Sequence, residues 1–280
     1  ATVTASDGVN SATQDLTVNV SNLNDNSPVI TSNNTFSADE NQTAAGTVTA
    51  TDDDGDSLTY SLTGTDASSL SVSSSGVLTF NSAPDYETKN SYAITANVAD
   101  SDNTTTQDIT VNINNLNDNV PVISSGASFN ADENQTSVGT VSASDADGDS
   151  LSYSLSGTDA GSLAISNTGV ITFNSAPDYE AKTSYSITAA VTDGATSISQ
   201  NITISIVNLN DNSPVISSGD TYNAAENQTA VGSVTAADAD GDTLSYSLSG
   251  TDASSLSISS SGVISFNSAP DYETKTSYSI

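Results

Sequence analysis

An all-β chain of tandem seven-stranded Greek-key sandwiches is the fold the sequence predicts, and three observations predict it. The segment Asn22-Leu23-Asn24-Asp25-Asn26-Ser27-Pro28 returns at Asn115 to Pro121 and at Asn208 to Pro214, so that Asp25, Asp118 and Asp211 stand 93 residues apart. A strict period of that length marks an array of whole domains. Apolar residues alternate with polar ones at Leu58, Tyr60 and Leu62, at Tyr92, Ile94, Ala96 and Val98, and at Ile109, Val111 and Ile113. Period two over such runs means strands with one buried face. Helical periodicity is absent, and turn formers such as Asp-Gly-Asp and Ser-Ser-Gly separate the runs. A sandwich buries one face of each strand and leaves the other to Ser and Thr.

The organisation in order is then the C-terminal end of one repeat at 1–26, full repeats at 27–119 and 120–212, and the first part of another at 213–280. Gln14-Asp15-Leu16-Thr17-Val18-Asn19-Val20 matches Gln107 to Ile113, which supports the first assignment. The chain reads as an excerpt from a longer array, and no signal peptide opens it. Within a repeat the strands are expected at Val29 through Phe36, Gly46 to Ala50, Leu58 to Leu62, Leu70 to Ser73, Val77 to Phe80, Tyr92 to Val98 and Ile109 to Ile113. This regular alternation argues against a disordered, mucin-like stalk, which the Ser/Thr content alone would permit.

Charge excludes whole classes of function. Thirty-four acidic residues face three lysines, with no arginine and no histidine, for a net charge of −31. No basic patch exists to meet nucleic-acid phosphates, and an anionic membrane surface would repel the chain. No apolar run is long enough to span a membrane, so no direct insertion of this segment is expected. The absence of cysteine and histidine removes disulfides, thiolate zinc sites and the commonest general base.

The acids recur at fixed places. Ala38-Asp39-Glu40-Asn41 is followed by Asp52-Asp53-Asp54-Gly55-Asp56, by Pro84-Asp85-Tyr86-Glu87 and by a late Asp100. The next repeat carries Glu133, Asp145-Ala146-Asp147-Gly148-Asp149, Asp178-Tyr179-Glu180 and Asp193, and the last carries Glu226, Asp238-Ala239-Asp240-Gly241-Asp242 and Asp271-Tyr272-Glu273. An all-oxygen donor set selects Ca²⁺ or Mg²⁺ over transition metals, and loop-built sites suit the larger, more tolerant Ca²⁺. A single acidic turn is ordinarily just solvated; the joint recurrence of five signatures, linker included, points to cations. The spacing rules out an EF-hand, because position six from Asp145 is Ser150 and position twelve is Ser156.

Glu before Asn, Asp-x-Asp, Asp-x-Glu and a linker ending Asn-Asp-Asn-x-Pro together resemble the cadherin repeat, an immunoglobulin-like sandwich, over the whole chain. The resemblance implies about three Ca²⁺ at each complete junction between repeats. For the middle junction it implies Glu40, Asp85, Glu87, Asn115, Asn117, Asp118 and the carbonyls of Leu116 and Asn119, with Asp145, Asp147 and Asp193 from the following repeat. Seven carboxylates would then face six positive charges. For the third junction it implies Glu133, Asp178, Glu180, Asn208, Leu209, Asn210, Asp211, Asn212, Asp238 and Asp240. At the first junction only one ion site is expected, from Asn24, the Asn26 carbonyl, Asp52, Asp54 and Asp100. Two departures stand out. Asn22, Asn115 and Asn208 replace the Asp that usually opens the linker, and Asp149 and its equivalents add a third acid to Asp-x-Asp.

The function so implied is a Ca²⁺-rigidified extracellular stalk in cell adhesion at a cell surface, meeting like repeats on another chain or a surface ligand. The alternative is a passive spacer or carbohydrate-binding accessory region of a large exported protein. The chain lacks the Trp with which strand-exchanging vertebrate members adhere, and its near-identical Ser/Thr-rich repeats resemble a long bacterial surface adhesin. A glycosidase-like pair such as Asp85 and Glu87 would occur once, in an asymmetric cleft; here it occurs three times in equivalent settings, so no enzyme is expected. Asn41-Gln42-Thr43, Asn134-Gln135-Thr136 and Asn227-Gln228-Thr229 also fit the glycosylation sequon. The only cations, Lys89, Lys182 and Lys275, are expected to pair with surface acids.

Overall fold

A computed structural model describes residues 1–280, and the chain divides into two units, Ala1–Asn119 and Val120–Ile280. The first unit begins with an exposed hairpin of β1 (Thr2–Ser6) and β2 (Ser11–Asp15). It pairs Thr2 with Asp15, the register in which Thr95 pairs with Asp108 one period later. The repeat that follows holds β3 (Val29–Ile30), β4 (Thr35–Asp39), β5 (Ala44–Thr47), β6 (Ala50–Thr51), β7 (Thr59–Thr63), β8 (Leu70–Val72), β9 (Val77–Phe80), β10 (Ser91–Ala99) and β11 (Thr104–Asn114).

Four strands form one sheet in the order β4-β11-β10-β7, three form the other in the order β5-β9-β8, and β3 pairs with β6. This is an all-β sandwich. The strand expected from Val29 through Phe36 is broken in two. Its first part runs antiparallel to β6 and its second runs parallel to β11, so the chain changes sheets between Ile30 and Thr35. The strand expected from Gly46 to Ala50 is likewise split into β5 and β6, with a register shift between Ala44 and Gly46. That shift has a cause: a Cβ on Gly46 would lie 2.6 Å from the Phe36 ring, so only glycine lets the ring cross the strand.

Alternation places Ile94, Ala96 and Val98 of β10 and Ile109, Val111 and Ile113 of β11 in the core, with Leu78 and Phe80 from the facing sheet. Phe80 and Tyr92 meet edge-on with ring centroids 4.9 Å apart. The tight turn before β9 needs Gly76 at φ +81, where a Cβ would strike the Val48 carbonyl oxygen. A single 3-10 turn, Ala67–Ser69, precedes β8.

In the second unit, residues 120–212 repeat this arrangement, with a four-stranded sheet running to 197–207 and a three-stranded sheet at 137–140, 163–165 and 170–173. Residues 213–280 contribute a three-stranded sheet over a small core of Leu256, Ile264 and Phe266. No helix is long and apolar enough to cross a membrane.

The topology sorts the acids by end. β4 and β11 are parallel neighbours, so Glu40 and the linker at 115–119 leave the sandwich together, beside the 84–88 loop that leads into β10. The 52–56 loop and the turn joining β10 to β11 at 100–103 lie at the opposite end, with the linker at 22–26.

Candidate metal centre

The end that holds Glu40 is built on a buried charge. Glu40 is only 1% exposed; its carboxylate accepts the Tyr86 N–H at 2.8 Å and the Leu116 N–H at 2.7 Å. Glu133 repeats this at 1% exposure, with the Tyr179 N–H at 2.8 Å and the Leu209 N–H at 2.7 Å. A buried carboxylate is tolerated only where hydrogen bonds compensate it. Here they come from the Asp-x-Glu loop and from the linker, so one side chain ties three segments together. Asp85 closes its own turn, accepting the Glu87 N–H at 3.1 Å and the Thr88 hydroxyl at 2.9 Å. That hydroxyl and the Thr88 N–H hold its carboxyl below the ordinary value. Asp178 does the same for the Glu180 and Ala181 N–H groups, at 3.0 and 3.2 Å.

Within the second unit the third linker meets the following Asp-x-Asp loop directly. Asp240 accepts the Asp211 N–H at 3.1 Å, the Asn212 N–H at 2.8 Å and the Asn212 side-chain amide at 2.9 Å. Asp238 accepts the Asp240 N–H at 3.0 Å. Glu133, Glu180, Asp211 and Asp240 each bring a carboxylate oxygen within 4.8 Å of the others. Loss of hydrating water pushes the Glu180 carboxyl up, and the carboxylates of Glu133, Asp178 and Asp240 add to this; the Asn212 amide holds Asp240 down. Four convergent carboxylates repel one another until a cation or a proton intervenes.

The first linker reproduces the pattern in the first unit. Asp54 accepts the Asp25 and Asn26 N–H groups at 3.0 and 2.8 Å and the Asn26 side-chain amide at 2.9 Å. Asp52 accepts the Asp54 N–H at 2.9 Å through one oxygen. Asp100 accepts the Asp102 and Asn103 N–H groups at 2.7 and 2.6 Å through one oxygen, and the Asn103 N–H chiefly holds its carboxyl down. Three acceptor oxygens remain. Asn24 Oδ1, Asp52 Oδ2 and Asp100 Oδ2 are buried with no donor. Three orphaned oxygens on residues expected to share an ion fit a hard, oxygen-seeking cation.

The middle set is divided between the two units, and each half is built like its equivalents. On one side Asn119 donates its amide to Asp118 at 2.9 Å and to Glu87 at 3.3 Å. On the other, Asp193 is 8% exposed and accepts the Ala195 and Thr196 N–H groups at 2.7 and 2.6 Å, with the Thr196 hydroxyl chiefly holding it down. Asp145, Asp147 and Asp149 bring oxygens within 4.8 Å of one another, and Asp145 Oδ2 is buried without a donor. Asp149 is half-buried and is pushed up by loss of hydration and by the neighbouring carboxylates of Asp145, Asp147 and Asp193. Asn117 and Asn210 occupy the third position of the linkers at 115–119 and 208–212.

Several details lay beyond sequence reasoning. The amides of Asn22 and Asn208 donate to the main-chain oxygens of Asp54 and Asp240, at 2.6 and 2.8 Å, and the Asn208 oxygen is among the buried atoms without a donor. The sequon residues Asn41 and Asn134 donate their amides to Asp118 and Asp211. Each lysine does pair with an acid: Lys89 with Asp66, Lys182 with Asp159, and Lys275 with Asp252. Each also lies over a tyrosine ring, Lys89 at 4.7 Å from the Tyr92 centroid. Tyr86 and Tyr179 pack against their cores, whereas Tyr272 is 61% exposed.

Fold and site together define a class of tandem β-sandwich modules with acidic, all-oxygen clusters where linker and loops meet. A Cadherin domain model matches residues 127–209, and a Bacterial Ig domain model matches residues 24–114. The chain is 30% identical over 236 residues to Protocadherin Fat 4 of Mus musculus, covering 78% of this chain and 5% of that protein. Among solved structures, mouse Cadherin-23 EC22-24 is similar at 26% identity and TM-score 0.66, over 89% of this chain and 90% of that one. Human CDH23 EC21-23 shares the fold at 22% identity and TM-score 0.70, over 85% and 89% of the two chains. Together these place the repeats in the cadherin repeat family.

Proposed function

We propose that the chain is a run of extracellular cadherin-like repeats, bounded at 26/27, 119/120 and 212/213, that Ca²⁺ stiffens into a stalk serving cell adhesion. The chain spans a twentieth of the Fat 4 relative, so the role of the whole protein rests on this proposal as well. The observation that carries the reading is the set of buried oxygens without donors on Asn24, Asp52 and Asp100.

Bound Ca²⁺ would supply positive charge and up to about eight coordination positions to these oxygens. Glu133 and Asp178 hold the preceding loop and linker in place, while Asp238 and Asp240 present the following loop to the same linker. Asp211 lies between them, so neutralising its neighbours favours one arrangement of linker and loops over many.

Small-angle scattering of the 280-residue chain in Ca²⁺ and in chelator tests the stalk. A longer and narrower distribution of distances in Ca²⁺ supports it; identical profiles refute it. Beads carrying the chain test adhesion: Ca²⁺-dependent clumping supports contact between like repeats, and its absence leaves a surface ligand or a spacer role.

A further inference from the structure

Asn41, Asn134 and Asn227 are the only non-glycine residues at positive φ, at 63°, 62° and 58°. Each directly follows the glutamate of its repeat, and each donates its main-chain N–H to a proline carbonyl: Asn41 to Pro84 and Asn134 to Pro177 at 3.0 Å, and Asn227 to Pro270 at 2.9 Å. The left-handed turn therefore belongs to the repeat itself. In the two repeats followed by a linker, the side chain reaches further, and the amide of Asn41 meets Asp118 Oδ2 while that of Asn134 meets Asp211 Oδ2. The other oxygen of each aspartate accepts the amide of Asn119 or Asn212, at 2.9 and 2.8 Å.

We infer that Asn41 and Asn134 are positioning residues that clamp the linker aspartate, aiming it before any cation binds. Glutamate and asparagine then grip the linker at two points two residues apart: Glu133 at the Leu209 N–H and Asn134 at the Asp211 carboxylate. The residue requirement is narrow. Glycine accepts the backbone conformation but has no amide, and alanine has neither property. Aspartate tolerates the left-handed region but would set a second carboxylate against the first. Asparagine alone supplies the turn and a donor. The amide that a sequon would offer to a glycan is thus engaged with the linker.

The calcium-affinity part of this inference rests on the proposed function; the clamp itself does not. The double variants Asn41→Gly/Asn134→Gly and Asn41→Asp/Asn134→Asp are compared with the parent chain. In chelator, hydrogen exchange at amides 115–119 and 208–212 should quicken at least several-fold in both variants, more in the Asp pair, while amides of β10 and β11 keep their rates. Calorimetric titration with Ca²⁺ should show affinity lowered about tenfold in the Gly pair, in line with the loss of other ligand-orienting contacts. Unchanged linker exchange in both variants overturns the clamp. Quickened exchange with unchanged Ca²⁺ affinity overturns its role in ligand positioning. If the parent chain itself binds no Ca²⁺, the proposed function falls, and the chelator exchange still decides the clamp.

Discussion

The two ends of the sandwich at 27–119 both gather acids, and Glu40 and Asp85 at one are treated differently from Asp52 and Asp100 at the other. At one end Glu40 is buried but answered by two peptide N–H groups, and Asp85 closes its own turn. At the other, Asp52 and Asp100 each have one oxygen satisfied and one buried without a donor. The first end is folded into the protein's own hydrogen bonding. The second keeps buried acceptors at which no donor is aimed. Charge alone does not tell an acid whose acceptors are already satisfied from one with acceptors to spare; the count of donors does.

The sharpest way to break this contrast is to remove a carboxylate from each end. Replacing Glu133 by Ala, or Glu40 by Ala, deletes two charge-assisted hydrogen bonds and should destabilise its repeat by about 3 kcal/mol, in chelator as well as in Ca²⁺. Urea unfolding under both conditions measures this; a loss seen only in Ca²⁺ would make the two ends alike. Next in size, saturating Ca²⁺ should stabilise the parent chain by about 2.7 kcal/mol for each independent site at a hundredfold excess over the dissociation constant, and so raise its melting temperature. Scanning calorimetry with and without chelator reads it.

At the other end the sign should reverse. Asp52→Asn keeps the acceptor for the Asp54 N–H and removes a charge beside Asp54, Asp56 and Asp100. In chelator the variant should melt higher than the parent by roughly 2–4 °C; in Ca²⁺ it should melt lower. A fall under both conditions would make Asp52 structural rather than a ligand.

The smallest effect lies away from the ends. Lys89 and the Ala93 N–H hold Asp66 below its ordinary value of 3.8. A depressed folded-state value means stability present above the unfolded value and lost as pH falls through the folded one. Asp66→Asn should therefore cost no more than about 1 kcal/mol at neutral pH, given the half-exposed lysine, and nothing once the parent carboxyl is protonated. Thermal melts from pH 7 down to pH 2 follow the convergence.

Much of this was legible in the residues. Alternation in Tyr92 to Val98 and Ile109 to Ile113 located β10 and β11, because a half-buried strand writes its pairing into every second position. The joint recurrence of Glu40, Asp-x-Asp, Asp-x-Glu and the linker set these acids apart from the rest of the acidic surface. The break between β3 and β4 was not legible: it depends on β6 and β11 lying on different sheets, which residues 29–36 do not encode. Asn41 was hidden for a related reason. Its sequence neighbours spell a sequon, whereas its function depends on Asp118, 77 residues away. A signal existed in Asn following Glu in every repeat, but only the positive φ and the linker contact give it meaning.

The sequence by itself determined the period, the sandwich and the oxygen-only chemistry, since alternation and ligand type are properties of residues read one at a time or at short spacing. The tertiary structure decided which oxygens are already satisfied. That depends on peptide N–H groups brought from distant segments, as Leu116 is brought to Glu40, and no spacing along the chain reports where those donors end up.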